Sequence, residues 1–467
     1  MTTDKLTVTM RDSSVLRWTA LLLIASTMFF AYMFIDVLSP LQTLLENQLG
    51  WSAGTYGTFA GSEYFLNVFA LFLIFAGIIL DKMGVRFTAL LSAVVMIVGG
   101  SIKLYAISSY FVEGNALYDF FNSFWVSFPA TAKLACVGFA IFGCGVEMAG
   151  ITVSKAIVKW FTGKEMALAM GLEMAIARLG VFAVFRLSPW VASWGTESVV
   201  RPVAICCGLL CVGLLTFLVY FFMDRRLDQQ LGEAAGTEEE DPFKLSDLGI
   251  LFTSKPFLII AFLCVLYYSA IFPFQKFATS MLENRLGIPS PEASKLFSWF
   301  PIGAMVLTPL LGWFLDRKGK GATMLIIGSV LVFTCHLIFA IYPLQPDSTN
   351  SLMVAYVAIL VLGVSFSLVP AALWPSVPKL VENRYLGSAY SVIFWIQNVG
   401  LWAFPIIIGF TLDYANPDAA LTGHYDYTLP MLIFASLGIF AFLLGIWLKA
   451  EDKLHGYGLE APNIKKS

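Results

Sequence analysis

Two ionisable residues stand where charge is hardest to place. Glu147 and Arg178 each interrupt a long apolar run, on either side of a short basic connection from Lys155 to Lys164. A charged side chain at the centre of a bilayer costs at least about 2.5–3.5 kcal/mol, and such residues mark substrate or ion pathways. A carboxylate holds an ammonium group, and the planar fork of an arginine holds both oxygens of a carboxylate. Facing one cavity, the two would take the ends of a small zwitterion such as a short peptide. The competing reading is a permanent Glu147–Arg178 pair that locks two helices and satisfies only itself. At 1.5 Å per residue, counting from Lys155 and Lys164 puts them roughly 12 and 21 Å from one membrane edge. That gap of about 9 Å is long for a direct bridge and suits a dipeptide, whose extended span is about 7 Å.

Other polar residues in apolar runs are candidates for coupling, gating or lining. Glu63 and Lys276 read as coupling or gating groups, with burial in a fixed pair or solvation in a cavity as the alternatives, and Glu63 is the leading candidate to carry a proton. Asp81, Arg86, Asp316 and Arg317 lie at helix ends, where a carboxylate beside basic residues braces or gates neighbouring helices. Asp36 closes the first apolar run and either gates or caps a loop. Tyr267, Tyr268, Trp374, Gln397 and Asn398 read as lining groups, the rings covering peptide side chains without choosing among them and the amides taking the peptide bond. For any one ring, helix packing is the default reading, because membrane helices are rich in such residues. Lys103, Lys133, Glu173, Arg186 and Lys295 receive no role and are expected near interfaces or in a hydrated cavity.

The elements that must position these groups follow from composition. Of 467 residues, 58% are hydrophobic and only 13% charged, about half the charge of an ordinary soluble chain. Recurrent apolar runs of about 20 residues predict a polytopic all-α membrane protein. Twelve spans are expected near 17–38, 55–80, 87–108, 132–154, 166–190, 202–223, 256–280, 292–315, 322–343, 351–376, 387–412 and 428–448. They divide into an N-terminal tail (1–16), a six-helix bundle (17–223), a polar linker (224–255), a second six-helix bundle (256–448) and a C-terminal tail (449–467). The seven cysteines lie in apolar runs without metal-ligand spacing or a disulfide framework, and no cofactor is implied. No catalytic Ser/His/Asp set, His/Glu metal motif or phosphate cradle appears, which argues against an enzyme. A net charge of −2 with no basic patch argues against nucleic acid.

Basic residues set the orientation. Lys82, Arg86, Lys155, Lys159, Lys164, Arg225, Arg226, Arg317, Lys318, Lys320, Lys379, Arg384, Lys449 and Lys453 fall on one side. By this count about 21 of the 29 basic residues share it, so both termini are expected in the cytoplasm. The N-terminal stretch carries charges of both signs and no cleavage site, and reads as a retained tail.

The halves also repeat. Gly77–Gly84 (GIILDKMG) recurs as Gly312–Gly319 (GWFLDRKG), and Leu45–Gly50 (LENQLG) recurs as Leu282–Gly287 (LENRLG), at nearly one offset. Parallel repeats of this kind place a central site between them. With the Gly-xxx-Asp-[Lys/Arg]-x-Gly loops, the chain resembles the major facilitator superfamily over its whole length. GCGVEMAG, WFTGKE, MAIARLG, YYSAIFPF and Ala372–Gly400 are similar to its lysosomal dipeptide transporter branch, the domain-containing protein one group. That resemblance implies a dipeptide carrier working as a uniporter with a glycoprotein subunit, with Glu147 on the peptide amine and Arg178 on its carboxylate. Glu63 and the position of Lys276 depart from the pattern. The lack of an acidic dileucine signal and of any Asn-x-Ser/Thr sequon points to a bacterial cytoplasmic-membrane relative and against the accessory subunit.

Overall fold

A computed structural model describes residues 9–231, 247–346, 348–382 and 385–462. Arg384 and the centre of the expected linker lie outside them. The described residues form α1 (Ser14–Asp36), α2 (Gln42–Leu49), α3 (Ala53–Ser62), α4 (Phe65–Phe69), α5 (Phe72–Ala106), α6 (Ala116–Asn122), α7 (Ala130–Phe161), α8 (Met166–Ala192) and α9 (Val200–Leu231). After the linker come α10 (Asp247–Thr253), α11 (Lys255–Leu286), α12 (Ser290–Phe297), α13 (Trp299–Lys318), α14 (Gly321–Ile341), α15 (Thr349–Leu380), α16 (Leu386–Ala415), α17 (Ala419–Thr422) and α18 (Thr428–His455). Eleven helical stretches among them are long and apolar enough to cross a bilayer. The protein is an all-α membrane protein built from two bundles.

The second expected span departs from a single helix. Residues 55–80 are divided among α3, α4 and the start of α5, with Leu71 at φ +51 between the last two. Gly84, at φ +77 and ψ 169, then breaks α5, so its first part completes the second crossing and the rest forms the third. Backbone irregularity within a membrane persists only where protein surrounds it or water reaches it. Here α4 is covered on one side, with Asn67 and Val68 buried, and open on the other, with Phe65 and Phe69 exposed. The expected span 292–315 is likewise split into α12 and α13 at Ser298.

Two bundle edges move outward for an electrostatic reason. Helix α9 runs through Leu231 rather than ending at 223, because Asp224 is held by Lys159 at 2.7 Å and Asp228 by Arg86 at 3.1 Å. Helix α18 continues to His455 rather than 448, and the chain beyond it folds back. Leu459 and Glu460 accept backbone bonds from Gly321 and Lys320, each at 3.0 Å. Part of the expected linker and tail is therefore ordered helix or packed strap.

The Leu-Glu-Asn repeat keeps its local geometry. Gly50 and Gly287 stop α2 and α11 in the left-handed conformation, at φ +65 and +63, with their N–H groups on Glu46 and Glu283. Only a residue without a Cβ adopts that backbone at little cost.

We call the side carrying both described chain ends the terminal face and its opposite the far face. The first bundle (α1–α9) meets the second (α10–α18) through close helix contact and a set of far-face bonds. A Cβ added at Gly57 would lie 2.2 Å from the Pro405 carbonyl oxygen, and one at Gly409 would lie 2.3 Å from that of Ala53. Small residues here let α3 and α16 touch backbone to backbone. Around this contact Tyr425 donates to Glu46 at 2.7 Å, Thr43 to Glu283 at 2.9 Å and Ser52 to Asp413 at 2.8 Å, and at a second seam, where α8 meets α12 and α13, Arg186 donates to Ser298 at 2.8 Å. Each joins one bundle to the other. The terminal-face ion pairs Arg17–Glu165, Lys155–Asp81, Lys159–Asp224 and Lys255–Glu451 stay within a bundle. The far face is closed.

This contact yields a prediction. Gly57→Leu cannot pack against Pro405 and is expected to hold the far face open. Ser52→Cys should then react with a membrane-impermeant maleimide much faster than it does with Gly57 present. Equal labelling rates in the two backgrounds would show that the α3–α16 contact does not hold the closure.

Candidate functional site

Helix α7 carries Glu147 and α8 carries Arg178, joined by a turn over 162–165. Both helices belong to the first bundle, and both charges meet groups of the second. Glu147 has the Asn398 side chain of α16 as its polar neighbour. The Arg178 guanidinium lies over three rings, Tyr32 of α1 at 5.7 Å, Phe272 of α11 at 5.2 Å and Phe366 of α15 at 5.0 Å. Rings hold a cation through their negative faces without using its N–H donors. Neither side chain is fully buried. Among the described residues no ion pair joins Glu147 to Arg178, and Arg178 makes no hydrogen bond, so the locking pair considered above is not formed.

Their relative depth needs correction. Lys155 does not mark the membrane edge of α7, because the helix continues to Phe161 with Lys155 on Asp81 and Lys159 on Asp224. Counted from the true helix ends, Glu147 and Arg178 lie roughly 21 and 18 Å deep, nearly level. Their axial offset is therefore about 3 Å rather than the roughly 9 Å expected from the sequence.

The predicted lining residues divide in two. Tyr268 and Trp374 join the Arg178 rings: Trp374 Nε1 donates to Tyr268 Oη at 3.2 Å, and Tyr268 stacks on Phe272 at 5.6 Å. Phe394 stacks on Trp374 at 4.8 Å and extends the wall. Asn398 belongs beside Glu147. Tyr267 does not belong to this set, because its hydroxyl is spent inside the second bundle on Leu325 O and on Ser329 at 2.9 Å. Gln397 also turns inward, accepting from Cys264 at 3.4 Å.

Glu63, Asp36 and Lys276 converge into one buried cluster between the bundles. They are 3%, 1% and 4% exposed. Lys276 Nζ lies 3.0 Å from Asp36 Oδ1 and 3.6 Å from Glu63 Oε2. Gln275 Nε2 donates to Asp36 Oδ2 at 2.6 Å, and Ser39 Oγ donates to Oδ1 at 3.1 Å. Glu63 Oε2 accepts no hydrogen bond among the described residues. The lysine comes from the second bundle and both carboxylates from the first, so the cluster joins the two bundles by charge.

The remaining gating candidates lie on the terminal face. Asp81 pairs with Lys155 at 2.6 Å, and Arg86 pairs with Asp228 and rests over Phe221 at 5.8 Å. Both brace the first bundle internally. Asp316 lies within electrostatic reach of Lys379, and Arg317 covers Trp313 at 4.6 Å.

Two residues without an expected role matter here. Tyr32 sits within electrostatic reach of Arg178, Glu173, Glu147 and Glu63, and so between the candidate site and the buried cluster. Lys103 is fully buried with its ammonium over Phe34, Phe139 and Phe59 at 4.4, 4.3 and 5.1 Å. Its one hydrogen bond is to Phe34 O at 3.4 Å, and no carboxylate lies within ion-pair distance among the described residues. A charge inside an apolar run was the available signal for Lys103. A tyrosine among aromatic neighbours gave none for Tyr32.

A family model described as Major Facilitator Superfamily matches residues 24–405 and 277–461. The chain is 27% identical over 406 residues to the lysosomal dipeptide transporter MFSD1 of Homo sapiens, covering 85% of this chain and 80% of that one. It is 28% identical over 394 residues to that of Danio rerio, covering 82% and 78%. It is 30% identical over 306 residues to that of Bos taurus, where the match spans 64% of this chain and 61% of the relative. Among solved structures, the nucleoside transporter NupG aligns with a TM-score of 0.70 at 15% identity, covering 93% of this chain and 99% of that one. A bacterial homologue of the human lysosomal transporter Spinster, inward-facing and occupied, aligns at 0.68 and 13% identity, covering 94% and 98%. The two-bundle fold and the sequence match agree: this chain belongs to the major facilitator superfamily and is a multi-pass membrane transporter of small molecules, not an enzyme.

Proposed function

We propose that the chain carries dipeptides across a membrane by alternating access, with Glu147 taking the peptide amine and Arg178 its carboxylate. The observation that carries this reading is two opposite charges, unpaired with each other, each meeting the opposite bundle. Arg178 keeps its N–H donors free while rings hold it in place, the condition for capturing a carboxylate through two parallel bonds. Tyr268 and Trp374 supply apolar area beside it, and Asn398 supplies a polar contact beside Glu147. The relatives named as lysosomal dipeptide transporters support the substrate class.

The Asp36–Lys276–Glu63 cluster is the far-face latch on this reading, and far-face opening separates Lys276 from both carboxylates. The basic bias of the terminal face supports an orientation with both ends in the cytoplasm of a bacterial inner membrane. Glu63, with a buried oxygen that accepts no bond, is the residue that would carry a proton if transport is proton-coupled. That feature favours a second reading, in which another zwitterion or organic anion moves with protons and Glu147 acts as the proton switch.

Purified protein in a thermal-shift screen should be stabilised by dipeptides and not by sugars. Glu147→Gln and Arg178→Lys should each weaken that stabilisation about tenfold or more, since each removes a charge-assisted or bidentate contact. Unchanged dipeptide binding in Glu147→Gln, with altered pH dependence, would transfer the assignment to the second reading.

The latch has its own test. Lys276→Met leaves two buried carboxylates without their cation, an uncompensated charge worth about 3–5 kcal/mol. It should lower the melting temperature more than the combined variant Asp36→Asn/Glu63→Gln/Lys276→Met does. Equal melting temperatures would mean the three charges do not act together.

A further inference from the structure

The second crossing is broken where it passes the candidate site, and one polar side chain at the break has no partner. Asn67 lies on α4, the five-residue piece between the turn at Glu63–Tyr64 and the left-handed Leu71. It is 2% exposed, and among the described residues neither Oδ1 nor Nδ2 has a hydrogen-bond partner. No other described side chain leaves both of its polar atoms buried and unpaired. Gln275 and His336 also have an orphan atom, but each spends its other one, on Asp36 and on the Ala270 carbonyl. Burying an amide with nothing to bond is unfavourable unless some state of the molecule supplies a partner.

Helix register puts Asn67 at the height of the site. A Cβ built on Gly143 of α7 would meet the Glu63 carbonyl oxygen at 1.9 Å, and α3–α4 and α7 run in the same direction. One turn further along each brings Asn67 beside the level of Glu147. On the other flank, Gly61 abuts the Trp402 carbonyl of α16, and Trp395 Nε1 donates to the Val68 carbonyl at 3.0 Å. Asn398 falls between those two contacts. The buried face of α4 thus packs between the helices that carry Glu147 and Asn398.

We propose that Asn67 is a further substrate-binding residue that reads the peptide bond of a dipeptide whose ends are held by Glu147 and Arg178. A primary amide carries both a donor and an acceptor, which is what one peptide group requires. The two charged ends fix the ligand but do not distinguish a peptide from any molecule with an amine and a carboxylate at similar spacing. Asn67 supplies that distinction. The break in α4 frees the chain from a straight helical path at this height, as broken helices do at transporter sites. This inference rests on the dipeptide reading above.

The test compares glycylglycine with 5-aminopentanoate, which replaces its CO–NH unit by CH2–CH2 and keeps both ends. Purified wild-type protein should bind glycylglycine at least about tenfold more tightly in thermal-shift or calorimetric titration, because only the peptide bond gives the otherwise unbonded Asn67 amide its partners. In Asn67→Leu that preference should fall to within about twofold, through weaker glycylglycine binding with 5-aminopentanoate little changed. Asn67→Ser, smaller and still polar, should lose the preference in the same way and serves if the leucine variant does not fold. Wild-type discrimination retained in both variants overturns the role of Asn67 and leaves the dipeptide reading standing. A wild-type protein that binds neither glycylglycine nor any other dipeptide overturns both.

Discussion

A bilayer core offers no water to a charged side chain, and the placement of nearly every ionisable group in the membrane-spanning part follows from that. A carboxylate or ammonium there has to meet a counter-charge, a ring face or an open gap. Asp36, Glu63 and Lys276 satisfy the first condition and Lys103 with its three phenylalanines the second; Arg178 rests on three rings with its N–H donors unspent, and among the described residues Glu147 has only the Asn398 amide beside it. The sorting has a spatial order. The paired cluster lies at the junction of the bundles toward the far face, and the unpaired charges lie deeper along the same junction. Had Arg178 bonded to Glu147, both would be satisfied in one arrangement and there would be nothing for a ligand to complete.

The duplication of the chain explains how the far face closes with so few bonds. The repeated Leu-Glu-Asn landmark ends a helix in each bundle, with the glycine cap aiming the segment at its counterpart. Glu46 reaches Tyr425 in the second bundle, and Glu283 reaches Thr43 in the first. One local sequence performs the same task twice, each time on the opposite half. A part-buried hydrogen bond of this type contributes only about 0.5–1.5 kcal/mol. Closure depends instead on their occurring together around the α3–α16 contact, where glycines remove the side chains that would otherwise hold the backbones apart.

Class, repeat and most helices were legible in the sequence because each is carried by composition or by spacing along the chain. The charged candidates were legible for the same reason, since an acid inside an apolar run stands out. What was not legible is direction around a helix axis. Tyr267 and Tyr268 are neighbours in sequence with equal chemistry, yet one hydroxyl is spent on Leu325 and Ser329 while the other meets Trp374. Gln397 and Asn398 divide in the same manner, one toward Cys264 and one toward Glu147. A step of about 100° per residue turns adjacent side chains to different helices, and only packing decides which. The depth error at Glu147 has another origin. Lys155 looks like a membrane edge, but salt bridges to the next helices carry α7 further in charged form.

The second crossing ties gate to site more closely than a straight helix would. Its glycine-rich start, α3, is pressed against α16, its first break holds Glu63 at the latch, and its short middle piece holds Asn67 beside the α7 and α16 positions that carry Glu147 and Asn398. Only the Tyr64 turn separates Glu63 from α4, so any shift of the backbone at Glu63 is carried directly into that short piece. A ligand that bonds Asn67 therefore acts on the same short segment that the latch holds. On the proposed reading, coupling between an occupied site and a closed far face would need no long chain of intermediates. It needs a segment of the second crossing that two sets of contacts compete to position, and the break in that crossing is what makes the segment small enough to move.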